Sequence, residues 1–478
     1  MGPASKRCPD LNVLRGLSAV LMALSLAGCF AASPELTKST QTGDEKGKKL
    51  GTGKSFVNET VVAAAPAAPQ PSGWDAERVM SGQDDWEPAT AVDPVNPNYV
   101  YQLTTRYTGP KPCGNCKLPA IVLRRSTDGG ATWVEQFLST SGKSQYDPQI
   151  AVATSGWVYA VWLDAFTPGS TFVRSMDRGV TWSQGISWSG NGKKPQWNDK
   201  PWLNISKDGQ HVYLGFNSSD SYIVSSHDFG VSFSGPVKTN SDTRYWFHSG
   251  GAVSPTNPMV AYFATSNYSS GNNYNGDSNV EILRTTNGGV SWTDIHIDTS
   301  REVPACPWAA GCGQGFFGTQ AALAMDSAGK LMIVYNANNS PDVPEQIYYK
   351  TSTDGINWSA RAQLSPASAT VIAGFPMAAA HPTAAGDFRV VWQDDRLQSQ
   401  AGFNTWYKRT TNGGSSWSAD VRLSDQTTGA PYKNANGYAF PYGDYGEIAV
   451  DSNGRNYVVW GEGISYTGPG GTWYTRGN

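Results

Sequence analysis

Residues 126–133 read STDGGATW, and versions of this stretch recur at five other places in the 478-residue chain. The other copies are SMDRGVTW (175–182), SHDFGVSF (226–233), TTNGGVSW (285–292), STDGINW (352–358) and TTNGGSSW (410–417). Their acidic or amide positions lie 49 to 67 residues apart, at Asp128, Asp177, Asp228, Asn287, Asp354 and Asn412. Self-similarity at a period of this size indicates an array of supersecondary units, so this stretch decides the fold.

Each copy lies between two apolar runs, where a hairpin turn belongs. The Asp or Asn side chain accepts hydrogen bonds from backbone N–H groups further along such a turn. The following Gly supplies a positive φ at little steric cost. The closing Trp or Phe buries a large apolar face between neighbouring units. We therefore interpret these residues as structural, and not as metal ligands or catalytic acids.

A second signal, an apolar run of period two, precedes each copy and predicts a strand. Seven such runs occur, at 99–105, 158–164, 211–217, 259–265, 331–337, 388–394 and 456–462. A third strand is predicted after each, at 119–126, 170–177, 221–228, 279–286, 346–353, 404–411 and 471–478. The count predicts an all-β fold, a seven-bladed β-propeller of four-stranded blades over residues 77–478. A six-bladed ring is the alternative, and it would leave one complete hairpin unused.

The seventh blade lacks its outermost strand, because its third strand ends at Asn478, where the next copy of the motif would begin. Exposed sheet edges are liabilities, and ring closure removes them. We therefore predict that an N-terminal strand completes this blade. The first candidate is 56–62 (FVNETVV), and the second is the short stretch after Trp74.

The N-terminus carries three basic residues and then an apolar stretch at 17–26. Because that stretch is too short to span a bilayer comfortably, residues 1–29 are predicted to be a signal peptide. The tetrad LAGC at 26–29 resembles a bacterial lipobox, which implies cleavage before Cys29 and lipidation of its sulfur. A Phe at position 30, instead of Asp, implies by analogy the outer membrane or the cell surface. Residues 30–76 are interpreted as a flexible tether.

The four remaining cysteines and the net charge set further expectations. In an oxidising compartment two local disulfides are predicted, Cys113–Cys116 and Cys306–Cys312, whereas a zinc site would need both loops to meet. The net charge of −3 shows no basic patch, which argues against nucleic-acid binding. We expect a monomer without a metal or cofactor.

A ligand site is predicted at the channel mouth, where the loops entering the innermost strands converge. These strands align on Pro88, Pro148, Pro201, Ser249, Ala321, Pro376 and Gly446. The preceding residues are Glu87, Asp147, Lys200, His248, Gln320, Phe375 and Tyr445, and one position earlier stand Trp86, Tyr146, Asp199, Phe247, Thr319, Gly374 and Asp444. A ring of charged and aromatic residues differs from the composition of a hydrophobic core. The alternative is that a solvated channel mouth is polar without having a function.

The second set of loops on the same face adds Arg106, Asp164, Asp394, Asp395, Arg396 and Glu462, and Arg244 and Trp246 precede His248. Aromatic faces with carboxylates and arginines suit sugar recognition. We nominate as catalytic candidates Asp147, Asp199, His248, Tyr445 and Glu87. The substrate-binding candidates are Trp86, Tyr146, Arg244, Trp246, Arg396 and Asp444.

The repeated motif resembles the Asp-box, or BNR repeat, of sialidases and other β-propeller proteins. The resemblance implies a propeller whose boxes lie opposite the active site. Sialidases bind the sialate carboxylate with three arginines, the first in a Phe-Arg-Ile-Pro motif, but the matching strand here reads DWEP at 85–88, with Trp86 at the arginine position. For the family's Tyr nucleophile and assisting Glu, the nearest equivalents are Tyr445 and Glu447. The resemblance therefore extends to the fold and not to the catalytic residues.

Three functions follow as hypotheses. The favoured one is a surface-anchored glycoside hydrolase of sialidase-like type, in which two carboxylates face each other across a sugar. The second is a polysaccharide lyase, with His248 and Tyr445 as base and acid and Arg244 or Arg396 as the neutralising cation. The third is a non-catalytic lipoprotein that binds a glycan or a protein.

Overall fold

The computed structural model describes residues 69–165, 167–189, 199–218, 220–268, 277–302, 319–397, 403–424, 445–463 and 470–478, with only the backbone of Asp199 and of two short strands between 433 and 438. Seven four-stranded antiparallel sheets form a seven-bladed β-propeller, which confirms the predicted fold class. No helix in these ranges is long and apolar enough to cross a membrane.

The first strand in the chain, β1 (Arg78–Val79), belongs to the last blade. Blade 1 consists of β2 (Asp85–Val92), β3 (Val100–Arg106), β4 (Ala120–Ser126) and β5 (Val134–Phe137). Blade 2 consists of β6 (Gln145–Val152), β7 (Val158–Asp164), β8 (Gly169–Ser175) and β9 (Ile186–Trp188). Blade 3 consists of β10 (Asp199–Ile205), β11 (Val212–Ser218), β12 (Asp220–Ser226) and β13 (Val237–Lys238).

The remaining blades repeat this order. Blade 4 consists of β14 (Tyr245–Val253), β15 (Ala261–Tyr268), β16 (Ser278–Thr285) and β17 (Thr293–Ser300). Blade 5 consists of β18 (Ala321–Met325), β19 (Leu331–Ala337), β20 (Gln346–Ser352) and β21 (Ala362–Gln363). Blade 6 consists of β22 (Ala373–Ala380), β23 (Phe388–Asp394), β24 (Asn404–Thr410) and β25 (Val421–Arg422). A separate pair is formed by β26 (Lys433–Asn434) and β27 (Gly437–Tyr438). Blade 7 contains β28 (Glu447–Val450), β29 (Asn456–Gly463) and β30 (Gly470–Gly477), with β1 at its outer edge.

The predicted second and third strands match the observed ones to within two residues at each end, with one three-residue exception. The second strands β3, β7, β11, β19 and β23 are buried along their whole length, because each blade covers its neighbour on both faces. One core cluster, for example, joins Leu103 of blade 1 to Ile150 and Trp162 of blade 2. The core is thus a series of sheet-to-sheet layers around the ring.

The ring closes through the N-terminal stretch. β1 pairs antiparallel with β30, and Trp74 forms a bridge to Gly477. Asp75 adds ion pairs to Arg455 and Arg476. The closing strand is therefore the second of the two candidates, the stretch after Trp74, and the first candidate, 56–62, lies outside the described residues.

The repeated motif forms the turn between the third and fourth strands. In the first copy, the Asp128 carboxylate accepts hydrogen bonds from the N–H groups of Ala131 and Thr132 at 3.0 and 2.9 Å and from the Thr132 hydroxyl at 2.6 Å. These bonds lower the pKa of Asp128, and matching bonds lower that of Asp177 to about 2. Both oxygens of each carboxylate are therefore engaged in holding the turn.

The aromatic residue that ends each copy packs against the preceding blade. Trp133 lies edge-on to Tyr474 of blade 7 with 5.4 Å between ring centroids, and Trp417 lies 5.2 Å from Tyr349 of blade 5. Because the third strand runs in the same direction as the innermost strand, these turns lie at the end where the innermost strands finish. The nominated site residues lie at the opposite end, where those strands begin.

Candidate functional site

One cavity lies along the ring axis at the starting ends of the innermost strands. Six of the seven ring positions nominated from the sequence line it together: Asp147, Lys200, His248, Gln320, Phe375 and Tyr445. The seventh, Glu87, lies directly behind them, because its carboxylate accepts the N–H of Asp147 at 3.2 Å. The residues identified by aligning the blades in the sequence are thus brought together by the fold.

Four of these ring residues have an unusual backbone. Glu87, Asp147, Lys200 and Phe375 have φ values of 57°, 53°, 43° and 56°, and each precedes a proline. The strand pairing is shifted at all four positions, as in a β-bulge. A non-glycine residue in this region costs of order 1–3 kcal/mol, and bulges beside active sites re-aim side chains. The strain is concentrated at the channel mouth, which marks it as the candidate site.

Glu87 has a positioning role in this arrangement. Its side chain is fully buried and accepts hydrogen bonds from the Thr105 hydroxyl at 3.0 Å and from the backbone of Asp147. It therefore joins the innermost strands of blades 1 and 2 and fixes the backbone of Asp147. Asp147 itself is 1% exposed and borders the cavity.

Glu447 is a cavity-lining carboxyl that the nominated set did not include. It is half-buried at the start of β28, two residues after Tyr445, and its carboxyl accepts the N–H of Thr90 at 2.7 Å. Burial raises its pKa to about 8, against the opposing effect of the Thr90 hydrogen bond. Glu447 is therefore protonated at neutral pH and can donate a proton. Its position two residues after Tyr445, which is the period of a strand, was the signal in the sequence that could have identified Glu447.

Lys200 provides the positive charge that lines the cavity. Its Nζ lies 5.9 Å from the ring centroid of Tyr445 and 5.5 Å from that of Phe247. Blade 3 thus brings a cation to the aromatic rings of blades 7 and 4, within the range of a cation–π interaction. Tyr445 and Lys200 are both half-buried, so the pair remains accessible from the channel.

His248 is positioned as a buried, neutral imidazole. Its Nε2 lies 3.0 Å from the Ser221 hydroxyl, and its ring packs edge-on against Phe263. Burial lowers its pKa to about 3. A histidine with so low a pKa is a weak proton acceptor at neutral pH, so the geometry does not favour His248 as a catalytic base.

The arginines of this face bind groups within their own blades. Arg106 forms ion pairs with Asp85 and Glu135, at 2.8 Å to Asp85. Arg396 binds Asp394 at 2.6 Å and stacks 3.8 Å from the centroid of the Trp406 ring. The residues described as lining the cavity include no arginine.

Arg244 completes this pattern. It donates to the side chain of Asn267, to the Asn267 carbonyl at 3.3 Å and to the Asp277 carbonyl at 2.9 Å. The nominated loop carboxylates are engaged in the same way, since Asp164 binds Ser141, Asp394 binds Arg396, Asp395 binds the Ile372 N–H and Glu462 binds Trp460. These bonds stabilise the blades.

The nominated aromatic residues divide into two groups. Trp86 and Tyr146 are half-buried at the channel rim, with Tyr107 between them. Trp246 is 1% exposed and belongs to the core between blades 3 and 4, so it offers no face to a sugar. The sequence did not single out Tyr107, which follows the second strand of blade 1 directly.

Several nominated residues lie outside the described ranges, namely Cys29, Cys306, Cys312, Asp444 and the side chain of Asp199. The Cys113–Cys116 disulfide is present, with an S–S distance of 2.10 Å, which confirms that pairing. No group of three or more His, Cys, Asp or Glu side chains within the described part of the chain is arranged to hold a metal ion.

The effect of burial on the pKa of a carboxyl group can also be tested at Glu345, which lies away from the cavity. It is buried in blade 5, accepts hydrogen bonds from Ser300 at 2.9 Å and Asn336 at 2.6 Å, and has a pKa raised by burial to about 8. Since ionisation of Glu345 and Glu447 is unfavourable only in the folded state, their contribution to stability is fully present below about pH 4.5 and is lost as the pH rises through 8.

We therefore expect the free energy of unfolding to fall between pH 6.5 and 8, where His248 is already neutral. A single such carboxyl contributes a slope of up to about 1.4 kcal/mol per pH unit. Glu345→Gln should reduce the slope, as measured by denaturant unfolding at constant ionic strength. An unchanged slope would show that Glu345 is ionised in the folded protein.

Comparisons with known proteins return solved structures of low similarity. The sequence matches no protein-family model and no curated protein at the threshold used. Among solved structures, YCF48 bound to D1 peptide is 14% identical, with 87% of this chain and 97% of that chain covered and a TM-score of 0.48. An ulvan lyase of polysaccharide lyase family 25 is 12% identical, with 84% and 94% covered and a TM-score of 0.46.

A sialidase from Trypanosoma rangeli, in complex with the inhibitor DANA, is 13% identical, with 82% of this chain and 55% of that chain covered and a TM-score of 0.40. At such identities the likeness extends to the fold alone, and function has to be argued from the site.

Proposed function

We propose that this protein is a glycoside hydrolase that acts at the channel mouth. The observation that carries the proposal is that Glu447, from blade 7, and Asp147, from blade 2, line the same cavity. One is a carboxyl group with a pKa of about 8, and the other is a carboxyl group held in a strained backbone conformation. Two carboxyl groups that flank one sugar are the usual machinery of glycoside hydrolysis.

The acid role follows from the raised pKa of Glu447. Glu447, protonated at neutral pH, donates its proton to the oxygen of the glycosidic bond as that bond breaks. Asp147 is the second carboxylate, which activates water or attacks the anomeric carbon. Lys200 and Tyr445, between them, bind hydroxyl groups or a carboxylate of the sugar. The raised pKa assigns Glu447 to the acid role, and not to that of a base assisting a tyrosine nucleophile.

A sialate substrate is not part of this proposal. Three arginines from three blades would have to reach the cavity, yet Arg106, Arg244 and Arg396 are each bound within their own blade. Opening the ion pairs of Arg106 and Arg396 would take a cationic partner from the buried carboxylates of Asp85 and Asp394, at a cost of several kcal/mol. We therefore favour a neutral sugar or a uronate, for which Lys200 alone supplies the charge.

Hydrolysis is tested on a panel of 4-nitrophenyl glycosides and of neutral and acidic polysaccharides. Release of nitrophenol or of reducing ends, without an ultraviolet chromophore, is the expected result. An absorbing unsaturated uronate would instead support a lyase. The Lys200–Tyr445 pair is the observation that favours this second candidate, with Lys200 neutralising a uronate carboxylate and Tyr445 transferring a proton. Retention of a glycan without turnover would support a binding protein.

Anchoring at the cell surface is a separate proposal, based on the lipobox-like tetrad that ends at Cys29. Expression of the full chain in a bacterial host should place it in the membrane fraction with an acylated N-terminus, detected by mass spectrometry. Cys29→Ala should release the protein from that fraction. If both proteins fractionate alike, Cys29 is not the anchor.

A further inference from the structure

Three half-buried aromatic side chains pack against one another at the rim of the channel, and we refer to Trp86, Tyr107 and Tyr146 as the aromatic platform. The ring centroid of Tyr107 lies 4.2 Å from that of Trp86 and 6.4 Å from that of Tyr146. Trp86 and Tyr146 immediately precede Glu87 and Asp147 on the bulged innermost strands of blades 1 and 2. The platform therefore begins at the candidate site and extends outward from it.

The exposure of Trp86 departs from a pattern within the chain. Four described tryptophans donate the indole N–H to a carboxylate two to four residues away, in the pairs Trp86–Asp84, Trp246–Asp242, Trp392–Asp394 and Trp460–Glu462. Three of these rings are at most 1% exposed and fill cores between blades. Trp86 makes the same bond and yet remains half-buried at the rim. Core packing explains the other three rings but not this one.

Asp84 holds the Trp86 ring and the backbone of Tyr107. The Asp84 carboxylate accepts the Trp86 indole N–H at 2.7 Å and the Gly470 N–H at 3.0 Å, and its backbone carbonyl accepts the Tyr107 N–H at 2.8 Å. Asp84 itself is 8% exposed. An indole ring fixed in this way loses little conformational entropy when a ligand binds, as in preorganised binding sites.

The surroundings of the platform are polar. Gln83 and Thr108 are hydrogen-bonded to each other at 3.3 Å beside Trp86, and Ser144 lies two residues before Tyr146. A protein-binding patch has a contiguous apolar centre, whereas flat rings bordered by hydroxyl and amide groups suit a sugar with apolar ring faces and polar edges.

We propose that the aromatic platform binds a glycan chain that continues from the channel mouth, so that the substrate is a polysaccharide that extends beyond the cavity. Tyr107 becomes a binding residue in addition to the two that the sequence nominated. This inference rests on the proposed function only for the placement of the bond that is cleaved.

Affinity electrophoresis tests the proposal with four soluble polymers: hydroxyethylcellulose, arabinoxylan, alginate and polygalacturonate. The full chain carrying Glu447→Gln is used, so that hydrolysis does not remove the probe. We expect retardation by at least one polymer, which the corresponding monosaccharide does not reverse. Trp86→Ala and Tyr107→Ala, made in the same background, should weaken the binding about tenfold or more, as for central aromatic contacts in other interfaces.

The matched control is Trp157→Ala, since Trp157 is also half-buried but lies in the turn between β6 and β7, at the opposite end of the ring. It should bind as the parent does. Trp86→Phe keeps a ring in place and should retain part of the affinity, which separates loss of stacking from misfolding. Absence of binding to all four polymers, or equal binding by the platform variants and Trp157→Ala, would overturn the proposal.

The two proposals fail in different ways. Loss of polymer binding in the platform variants, together with no hydrolysis by the wild-type protein, would remove the hydrolase assignment and keep the platform. Hydrolysis of nitrophenyl glycosides by a protein whose platform variants bind polymer normally would remove the platform and keep the hydrolase assignment.

Discussion

Glu447→Gln is expected to lower kcat/KM for glycoside hydrolysis by about 100-fold or more, the usual contribution of a general acid. Glutamine keeps the size of the side chain and its ability to accept the Thr90 N–H, but it cannot give up a proton at this position. The wild-type activity should decline as the pH rises through about 8, where Glu447 ionises. Initial rates of reducing-end release from the most active polysaccharide, whose sugar leaving group needs a proton, measure both effects from pH 5 to 10.

The matched control is Glu345→Gln. Glu345 is a buried carboxyl with a pKa raised to the same value, but it lies in blade 5 and does not line the cavity. That variant should retain the parental rate and the parental pH profile. Equal losses in the two variants would indicate a general effect of removing a buried carboxyl, and a fully active Glu447→Gln would exclude the acid role.

Trp74→Ala is expected to cost about 3–5 kcal/mol of unfolding free energy, the range for truncating a buried aromatic side chain. The indole of Trp74 is 5% exposed and lies edge-on to Tyr407, with 5.0 Å between centroids. It also covers the backbone of Gly477, where an added Cβ would lie 2.4 Å from the indole. The substitution therefore removes the contact through which the N-terminal stretch closes blade 7. Denaturant unfolding at equilibrium measures the loss.

Gly477→Ala provides an independent check, because its methyl group would displace the indole without removing it. It should also be destabilising. Val95→Ala, at a side chain that is 63% exposed, should change stability by less than about 0.5 kcal/mol. If Trp74→Ala is no more harmful than Val95→Ala, the N-terminal closure does not hold the ring together.

The fold was predictable because its signals are local and repeated. The second and third strands follow from period-two apolar runs, and the turns follow from the Asp, Gly and Trp positions of the motif. The closing strand is only the two residues Arg78–Val79, which is too short to show a period. Its position depends on Trp74 and on the far end of the chain, so pattern reading ranked a longer apolar segment first.

The site was only partly predictable. Aligning the blades identified the ring of residues around the channel, since position along a strand determines which end of the ring a side chain occupies. It did not reveal which groups are already engaged. Arg244 and Arg396 bind partners more than 20 residues away. Trp86 and Trp246 each bind the carboxylate of a nearby aspartate, yet the two rings differ in burial. Those differences arise from packing between blades, which one sequence does not display.

Hydrogen–deuterium exchange, with and without a bound oligosaccharide, tests most directly whether the channel mouth is the working face. The probe is a fragment of whichever polymer retards the Glu447→Gln protein. Protection is expected at the starts of the innermost strands, in peptides covering 145–150 and 445–450, with none in the turns at 127–133 and 176–182. Protection confined to those turns would place the ligand on the opposite face and would contradict the account.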